Sequence, residues 1–141
     1  MSWTFYNASG QRLSSPAVSV ATQAEMEAAS STTIYVTPGR AHYHPSAAKA
    51  YCFINADGSL GSGDYNVASI TDTAVGNRTV VWDVDFSDTN YAVLGSNRER
   101  ADRIVDFSSV AAGSVVHQIR ALGAPHALGD EPSSVAGFGD Q

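Results

Sequence analysis

The chain has 141 residues, of which 43% are hydrophobic, so it is long enough for one domain with a hydrophobic core of modest size. Its 8 Lys and Arg residues against 14 Asp and Glu residues leave a formal net charge of −6, which opposes binding to nucleic acid or to an anionic membrane surface. No apolar run reaches the roughly 18 residues of a membrane-spanning helix, and the N-terminus lacks the order of a secretory signal, so we expect cytoplasmic synthesis and no membrane insertion.

The N-terminal third predicts a hairpin, a linker and a short helix. The turn-forming residues 7–10 separate Trp3 and Phe5 from Leu13, which favours a small hairpin, and residues 14–20 read as a linker. Thr22 and Glu25 then have the spacing of a capping box, which predicts a helix over about 23–29. This helix is too short and its apolar stripe too narrow to be stable alone, so we expect it to pack against a partner.

A second helical turn is predicted after Thr37-Pro38, and it must be brief because Pro45 disfavours helix at His44. We therefore divide the chain into a hairpin and linker (1–21), a helical neck (22–45) and a β domain (46–141).

The β domain is predicted from short alternating segments separated by Gly and Asn turns. The final segment is expected to add an edge strand, and the single Cys52 is expected to be a small buried hydrophobe inside the first strand. Six or seven such strands are typical of an antiparallel β-sandwich. The predicted strands are 49–55, 65–71, 78–84, 90–95, 104–110, 114–121 and 135–138.

His42 and His44 are the candidate metal ligands. In an extended segment, residues i and i+2 project to the same side, and imidazole is a good ligand for Fe, Ni or Zn. Two ligands bind weakly, but two from each of three chains on a threefold axis would supply six nitrogens. The other interpretation is that both histidines hydrogen-bond to the backbone or pack beneath the first strand.

No residue cluster has the form of an active site, and we expect no enzyme. No serine lies in a G-x-S-x-G elbow, and His117 alternates with Val115 and Ile119 as a residue on a strand face. Asp83, Asp85 and Asp88 read as turn and strand-edge aspartates. A glycan-acting enzyme or calcium-dependent lectin that uses them is the alternative.

Candidate receptor-binding residues lie in two polar segments. Arg98, Arg100 and Arg103 belong to the charge-dense run NRERADR, which suits an anionic glycan or a neighbouring subunit, and His126 lies in the loop GAPHALG. Exposed aromatic side chains can stack on sugar rings. The tyrosines considered for this role are Tyr43, Tyr51, Tyr65 and Tyr91.

Eight short phrases occur along the sequence in a characteristic order. They are 22–40 (TQAEMEAASSTTIYVTPGR), His44-Pro45, Lys49-Ala50-Tyr51, 65–73 (YNVASITDT), Gly76, Asp85-Phe86, 90–93 (NYAV) and 137–141 (GFGDQ). In these phrases the chain resembles small tail-fibre and receptor-binding (spike) modules of tailed bacteriophages, and the resemblance covers nearly its whole length. A mild departure is Tyr51, where such modules commonly have Trp.

The resemblance implies a virion protein, a homotrimer that contacts other virion proteins and binds host-surface polysaccharide. Met26, Ile34 and Val36 are then expected at the trimer interface, and Trp3 and Phe5 at the attachment to the virion. A transition metal on the trimer axis is the one cofactor that these expectations leave open. A head decoration fibre without an adhesive role is the alternative within the same class.

Overall fold

The computed structural model describes residues 5–6, 8–10, 12–13, 19–32, 34–123, 125 and 127–141. These form two compact units, Met1–His44 and Pro45–Gln141. None of the helices in this part of the chain is long and apolar enough to cross a membrane.

The first unit contains a two-stranded hairpin and two short helices. Strands β1 (Phe5–Tyr6) and β2 (Arg12–Leu13) pair antiparallel, as the hairpin prediction requires. Helix α1 spans Gln23–Ala28 and helix α2 spans Pro38–Ala41, with Thr37 as its N-cap. A parallel bridge between Val20 and Tyr35 connects the segments that flank α1.

The predicted capping box at the start of α1 is confirmed. The Glu25 backbone N–H donates to Thr22 Oγ1 at 3.3 Å, and the Thr22 backbone N–H donates to Glu25 Oε2 at 2.8 Å. These hydrogen bonds satisfy two donors that have no partner inside a helix. The Thr22 N–H, and after it the Thr22 hydroxyl, which donates to the same oxygen at 2.7 Å, lower the pKa of the Glu25 carboxyl.

The second unit is mainly β, as predicted, with two antiparallel sheets. One sheet has the strand order β3-β9-β6 and the other has the order β4-β5-β8-β7. The strand bounds lie within a few residues of the predicted ones. They are β3 (Ala50–Ile54), β4 (Val67–Ala74), β5 (Asn77–Trp82), β6 (Ala92–Asn97), β7 (Arg103–Ala111), β8 (Ser114–Ala121) and β9 (Ser133–Phe138).

The prediction that the last segment is an edge strand is wrong. Strand β9 lies in the centre of the three-stranded sheet, where it pairs with β3 on one side and β6 on the other. Its inward residues Ser133, Val135 and Gly137 are buried. The alternation of residues along a strand indicates which of its faces is buried. It does not indicate whether the strand has a neighbour on one side or on both, and that is why the central position of β9 was not predicted.

The inner faces of the two sheets share one hydrophobic cluster, which includes Ile54 and Val135 from the first sheet and Val80 and Val115 from the second. Cys52 belongs to this cluster, as predicted, and burial raises the pKa of its thiol to about 12. It is therefore a protonated core residue.

Three aromatic residues, Trp82, Phe86 and Tyr91, pack together in the hydrophobic core. The Trp82 Nε1–H donates to the Tyr91 hydroxyl at 3.1 Å, and that hydroxyl donates to the Ala111 carbonyl at 2.8 Å. The rings of Phe86 and Tyr91 stack with centroids 3.8 Å apart. Each polar atom of the buried Trp82–Tyr91 pair thus has a partner.

Strand β6 of one sheet closely approaches β7 of the other at Gly95. A Cβ atom at this position would lie 2.4 Å from Val105 Cγ1 and 2.9 Å from Phe107 Cζ, both on the opposite sheet. The absence of a side chain at Gly95 therefore permits β6 to pack directly on β7.

Candidate functional site

The outer face of the three-stranded sheet carries a groove with small residues at its centre and large ones at its sides. The register places Tyr51, Ala136 and Leu94 in one row across β3, β9 and β6. The next row is Phe53, Ser134 and Ser96. In these two rows central β9 contributes only Ala136 and Ser134, so the side chains of Tyr51, Phe53 and Leu94 rise above it and border a groove of about 390 Å³. We call these six residues the sheet groove.

Two exposed tyrosines extend one wall of the sheet groove. Tyr51 and Tyr65 exchange backbone hydrogen bonds of 3.0 and 2.9 Å, which fixes one beside the other. Their rings stack with centroids 5.8 Å apart and an angle of 26° between the planes. Both remain accessible, with 46% and 42% of their surface exposed, and Leu94 on the other wall is 61% exposed.

Arg98 forms a cation–π contact with Phe53, one of the residues of the sheet groove. The Arg98 guanidinium carbon lies 4.7 Å from the centroid of the Phe53 ring. Gly61 packs against the same ring so closely that a Cβ there would lie 2.5 Å from Phe53 Cδ1. Phe53 also lines a second pocket of about 510 Å³, together with Asn55, Arg98 and Glu99. The two share Phe53, and we call the second one the end pocket.

The three arginines predicted to form one receptor-binding patch have different roles. Glu131 Oε1 lies 3.2 Å from Arg100 Nη1 and 3.7 Å from Arg103 Nε, so one carboxylate holds both cations. Arg103 also donates to the Ala127 carbonyl at 3.1 Å. Arg98 is separate from this ion cluster.

The extended geometry assumed for the histidine pair is wrong. His42 has φ −55 and ψ −35 and continues the turn of α2, and the His44 backbone N–H donates to the Ala41 carbonyl at 3.1 Å. In a helical turn, residues i and i+2 are separated by about 200° around the axis, so they do not project to the same side. His42 lies edge-on to the Tyr43 ring, with centroids 5.4 Å apart, while His44 lines a pocket beside α1. Metal binding by this pair stays a prediction.

The three residues predicted for the trimer interface have different environments. Met26 is only 6% exposed within its own chain, so α1 packs its apolar side chain against other residues of the first unit, and the role of Met26 at a trimer interface stays a prediction. Met26 lines a cavity of about 190 Å³ together with Ile34, Val36 and His44. Ile34 is half-buried and Val36 is 52% exposed. Val36 is therefore the one of the three with most surface left for another molecule.

The acidic residues of the WDVDFSD segment are exposed turn residues. Asp88 accepts hydrogen bonds from the Asn90 backbone N–H at 2.6 Å and from its side chain at 3.0 Å, which lowers the pKa of the Asp88 carboxyl. The described residues contain no group of three or more His, Cys, Asp or Glu side chains arranged to hold a metal ion.

Three predicted site residues fall wholly or partly outside the described structure. Trp3 and His126 lie outside the described residues, and of Phe5 only the backbone is described, in β1. Their predicted roles stay predictions. Among the four tyrosines considered for sugar stacking, Tyr91 is buried in the core and Tyr43 is half-buried beside Arg40.

Sequence reasoning missed the groove residues Phe53, Leu94, Ser134 and Ala136. The alternation within β3 and β9 assigns each residue to a face, so a signal for the outward direction was present. The groove itself depends on β9 lying between β3 and β6, and the prediction placed β9 at an edge. Without that neighbour relationship, the two rows of side chains cannot be assembled.

Scans against protein-family models, curated proteins and solved structures found no match for this chain.

Proposed function

We propose that this protein is a structural and adhesive component of a bacteriophage virion, a homotrimeric fibre or spike module. Its β unit binds a host-surface polysaccharide through the sheet groove. The resemblance of the sequence to phage fibre modules motivates the biological setting, and the exposed aromatic groove carries the proposal of binding. In this setting the first unit contacts other virion proteins.

The chemistry of the sheet groove suits a chain of sugar rings. Sugar rings present C–H faces that pack on aromatic rings, and hydroxyl groups that need polar partners. Tyr51 and Tyr65 supply the rings, and the groove adds the hydroxyls of Ser134 and Ser96. An apolar surface of this kind, exposed and bordered by polar side chains, is typical of a binding site.

A glycan-binding experiment tests the groove. An array of purified bacterial surface polysaccharides is probed with the wild-type protein and with the Tyr51→Ala and Leu94→Ala variants. Removing a stacking ring or a wall leucine should cost about 1–2 kcal/mol, or roughly tenfold in affinity. Leu122→Ala is the matched control, because Leu122 is 55% exposed and does not line the groove. Equal binding by all four proteins would place recognition elsewhere.

The proposed trimer rests on a second exposed surface, in the first unit. The bridge pairs Val20 with Tyr35, and Val36 follows Tyr35 in the chain. These three apolar residues are 48%, 65% and 52% exposed. Burying such a surface against copies of itself would stabilise an oligomer by removing apolar area from water.

Light scattering and native mass spectrometry test the trimer. We expect a mass of three chains for the wild type and a shift to monomer for Val36→Glu, because a carboxylate would be buried without a partner. Val75→Glu is the matched control, since Val75 is 58% exposed in the β4–β5 turn of the second unit. A monomeric wild type at micromolar concentration contradicts the proposal. Dissociation of the trimer by Tyr51→Ala would instead identify the sheet groove as a subunit interface.

A further inference from the structure

The arginines of the second unit differ in whether a carboxylate holds them. Four are ion-paired: Arg78 with Asp130 at 3.5 Å, Arg100 and Arg103 with Glu131 at 3.2 and 3.7 Å, and Arg120 with Asp106 at 3.6 Å. Within the part of the chain that the structure describes, Arg98 has no such pair, although Glu99 follows it in sequence. Arg98 is thus the arginine of the second unit that forms no ion pair with a carboxylate of the described residues.

Arg98 is also held in place. Its backbone N–H donates to the Pro132 carbonyl at 3.1 Å, and its guanidinium carbon lies over the Phe53 ring at 4.7 Å. Asn97 Oδ1 accepts the N–H groups of Glu99 and Arg100 at 3.0 and 2.8 Å, which orders the loop that follows. Contact with a ring engages the face of a guanidinium and leaves its N–H donors at the edge free to bind an anion.

The position of Arg98 connects this cation to the glycan-binding surface. Arg98 lines the end pocket, whose volume is about 510 Å³, and Phe53 lines both that pocket and the sheet groove. A sugar chain that lies along the groove from Tyr51 past Phe53 therefore reaches the guanidinium. Asn55 and Glu99 line the same pocket. Asn55 adds an amide, and Glu99 forms no ion pair with Arg98 within the described residues.

We infer that the polysaccharide bound in the sheet groove carries an anionic substituent, a carboxylate or a phosphate, and that Arg98 in the end pocket binds it. The inference rests on the proposed function, because it assigns the chemical class of the ligand for that same site. The shared chemistry is an oxyanion that accepts two N–H donors from one guanidinium. The aromatic wall supplies affinity for the sugar rings, and Arg98 selects acidic polymers over neutral ones.

The test uses a polysaccharide array with uronate-containing, phosphate-containing and neutral bacterial polymers. It is probed with the wild type and with Arg98→Gln, Arg98→Lys and Arg120→Gln. We expect the wild type to bind acidic polymers, Arg98→Gln to lose about tenfold or more in affinity, and Arg98→Lys to lose less. Arg120→Gln, which removes an arginine from the other sheet, should bind within about twofold of the wild type. Carboxyl reduction of a bound uronate polymer should abolish the difference between the wild type and Arg98→Gln, whereas a phosphate polymer should be insensitive to that reduction.

The outcomes separate this inference from the proposed function. Equal binding of neutral and acidic polymers, or an Arg98→Gln variant that binds acidic polymers as well as the wild type does, overturns the inference. If Tyr51→Ala still loses binding in that case, the proposed function stands. If the wild type binds no polymer on the array, both fail. Circular dichroism of each variant confirms that a loss of binding is not a loss of folding.

Discussion

His117 is a titratable side chain placed where its charged form is strongly disfavoured. It lies on the inner face of β8 with no exposed surface, and its cross-strand neighbour on β5 is the equally buried Arg78. Neither ring nitrogen of His117 has a hydrogen-bond partner among the described residues. Burial, together with the nearby positive charge of Arg78, lowers the pKa of His117 from 6.5 to about 4.

This pKa predicts a loss of stability in mild acid. Between pH 6.5 and about 4 the unfolded chain binds a proton at His117 and the folded chain does not, so the free energy of unfolding falls as the pH falls. The free energy of unfolding is unaffected by protonation of His117 above pH 6.5, where the side chain is neutral in both states. At about pH 4 it is lower by about 3 kcal/mol. Urea unfolding from pH 7.5 to 4 measures it.

His117→Phe supplies the comparison for that experiment, because the ring is kept and the titration is removed. The free energy of unfolding of the variant should depend less steeply on pH between 6.5 and 4, whatever its absolute stability. Parallel curves for the two proteins would show that His117 does not titrate differently in the folded and unfolded chain.

At the scale of the element, α1 combines a favourable start with an unfavourable end. The capping box at Thr22 and Glu25 stabilises the first turn. The last turn ends at Ala29, whose φ of 48 and ψ of 30 place a residue with a Cβ in the left-handed region. Glycine takes this conformation at helix ends without the steric cost that Ala carries.

Ala29→Gly should therefore stabilise α1, by about 0.5–1 kcal/mol. The same change one residue earlier, Ala28→Gly, should destabilise it by up to about 1 kcal/mol, because that position is inside the helix. Amide hydrogen exchange of Met26 and Ala29, whose N–H groups donate to Thr22 and Glu25 carbonyls, reports both effects. Slower exchange in Ala28→Gly than in Ala29→Gly would contradict the assignment of the helix end.

The sheets show how far sequence alternation reaches at this scale. It correctly predicted the existence of each strand of the second unit and the burial of Cys52, and it placed His117 on one strand face with Val115 and Ile119, which the structure shows to be buried. It predicted an edge position for β9, which lies in the centre of its sheet. Alternation is a property of a single strand, so it could be predicted from the sequence. The order of strands in a sheet depends on which distant segments pair, and alternation carries no information about that pairing.

At the scale of the whole second unit, Arg78 connects parts of the chain that are distant in sequence. Its side chain has no exposed surface, and it donates to the Ala56 carbonyl at 2.7 Å and to the Glu131 carbonyl at 3.0 Å. Ala56 follows β3 and Glu131 precedes β9, so a residue of one sheet binds the ends of two strands of the other. Asp130 at 3.5 Å supplies the opposite charge.

Arg78→Met should destabilise the second unit by about 2–4 kcal/mol, because the Ala56 and Glu131 carbonyls lose their buried donor. Asp130 loses its opposite charge but keeps the Gly76 N–H at 2.6 Å. Arg120→Met is the matched control. Its partner Asp106 has a side chain that is 52% exposed, and a partly exposed pair of this kind contributes about 0–1 kcal/mol. Guanidinium unfolding of the three proteins measures the difference. Equal costs for the two variants would mean that the Arg78 contacts do not hold the sheets together.

The sequence by itself determined the class of the fold, the strands of the second unit, the capping box of α1 and the burial of Cys52. These follow from period-two alternation, from a three-residue spacing and from residue type, all of which are local. Only the tertiary structure decided that β9 is central, that Tyr51, Phe53 and Leu94 border one groove, and that Arg98 is the arginine of the second unit without an ion pair to the described residues. Arg100 finds its carboxylate at Glu131, 31 residues away, and no spacing rule reports a partner that distant. The candidate site is made of such long-range pairings, which is why it became visible only when the sheets were assembled.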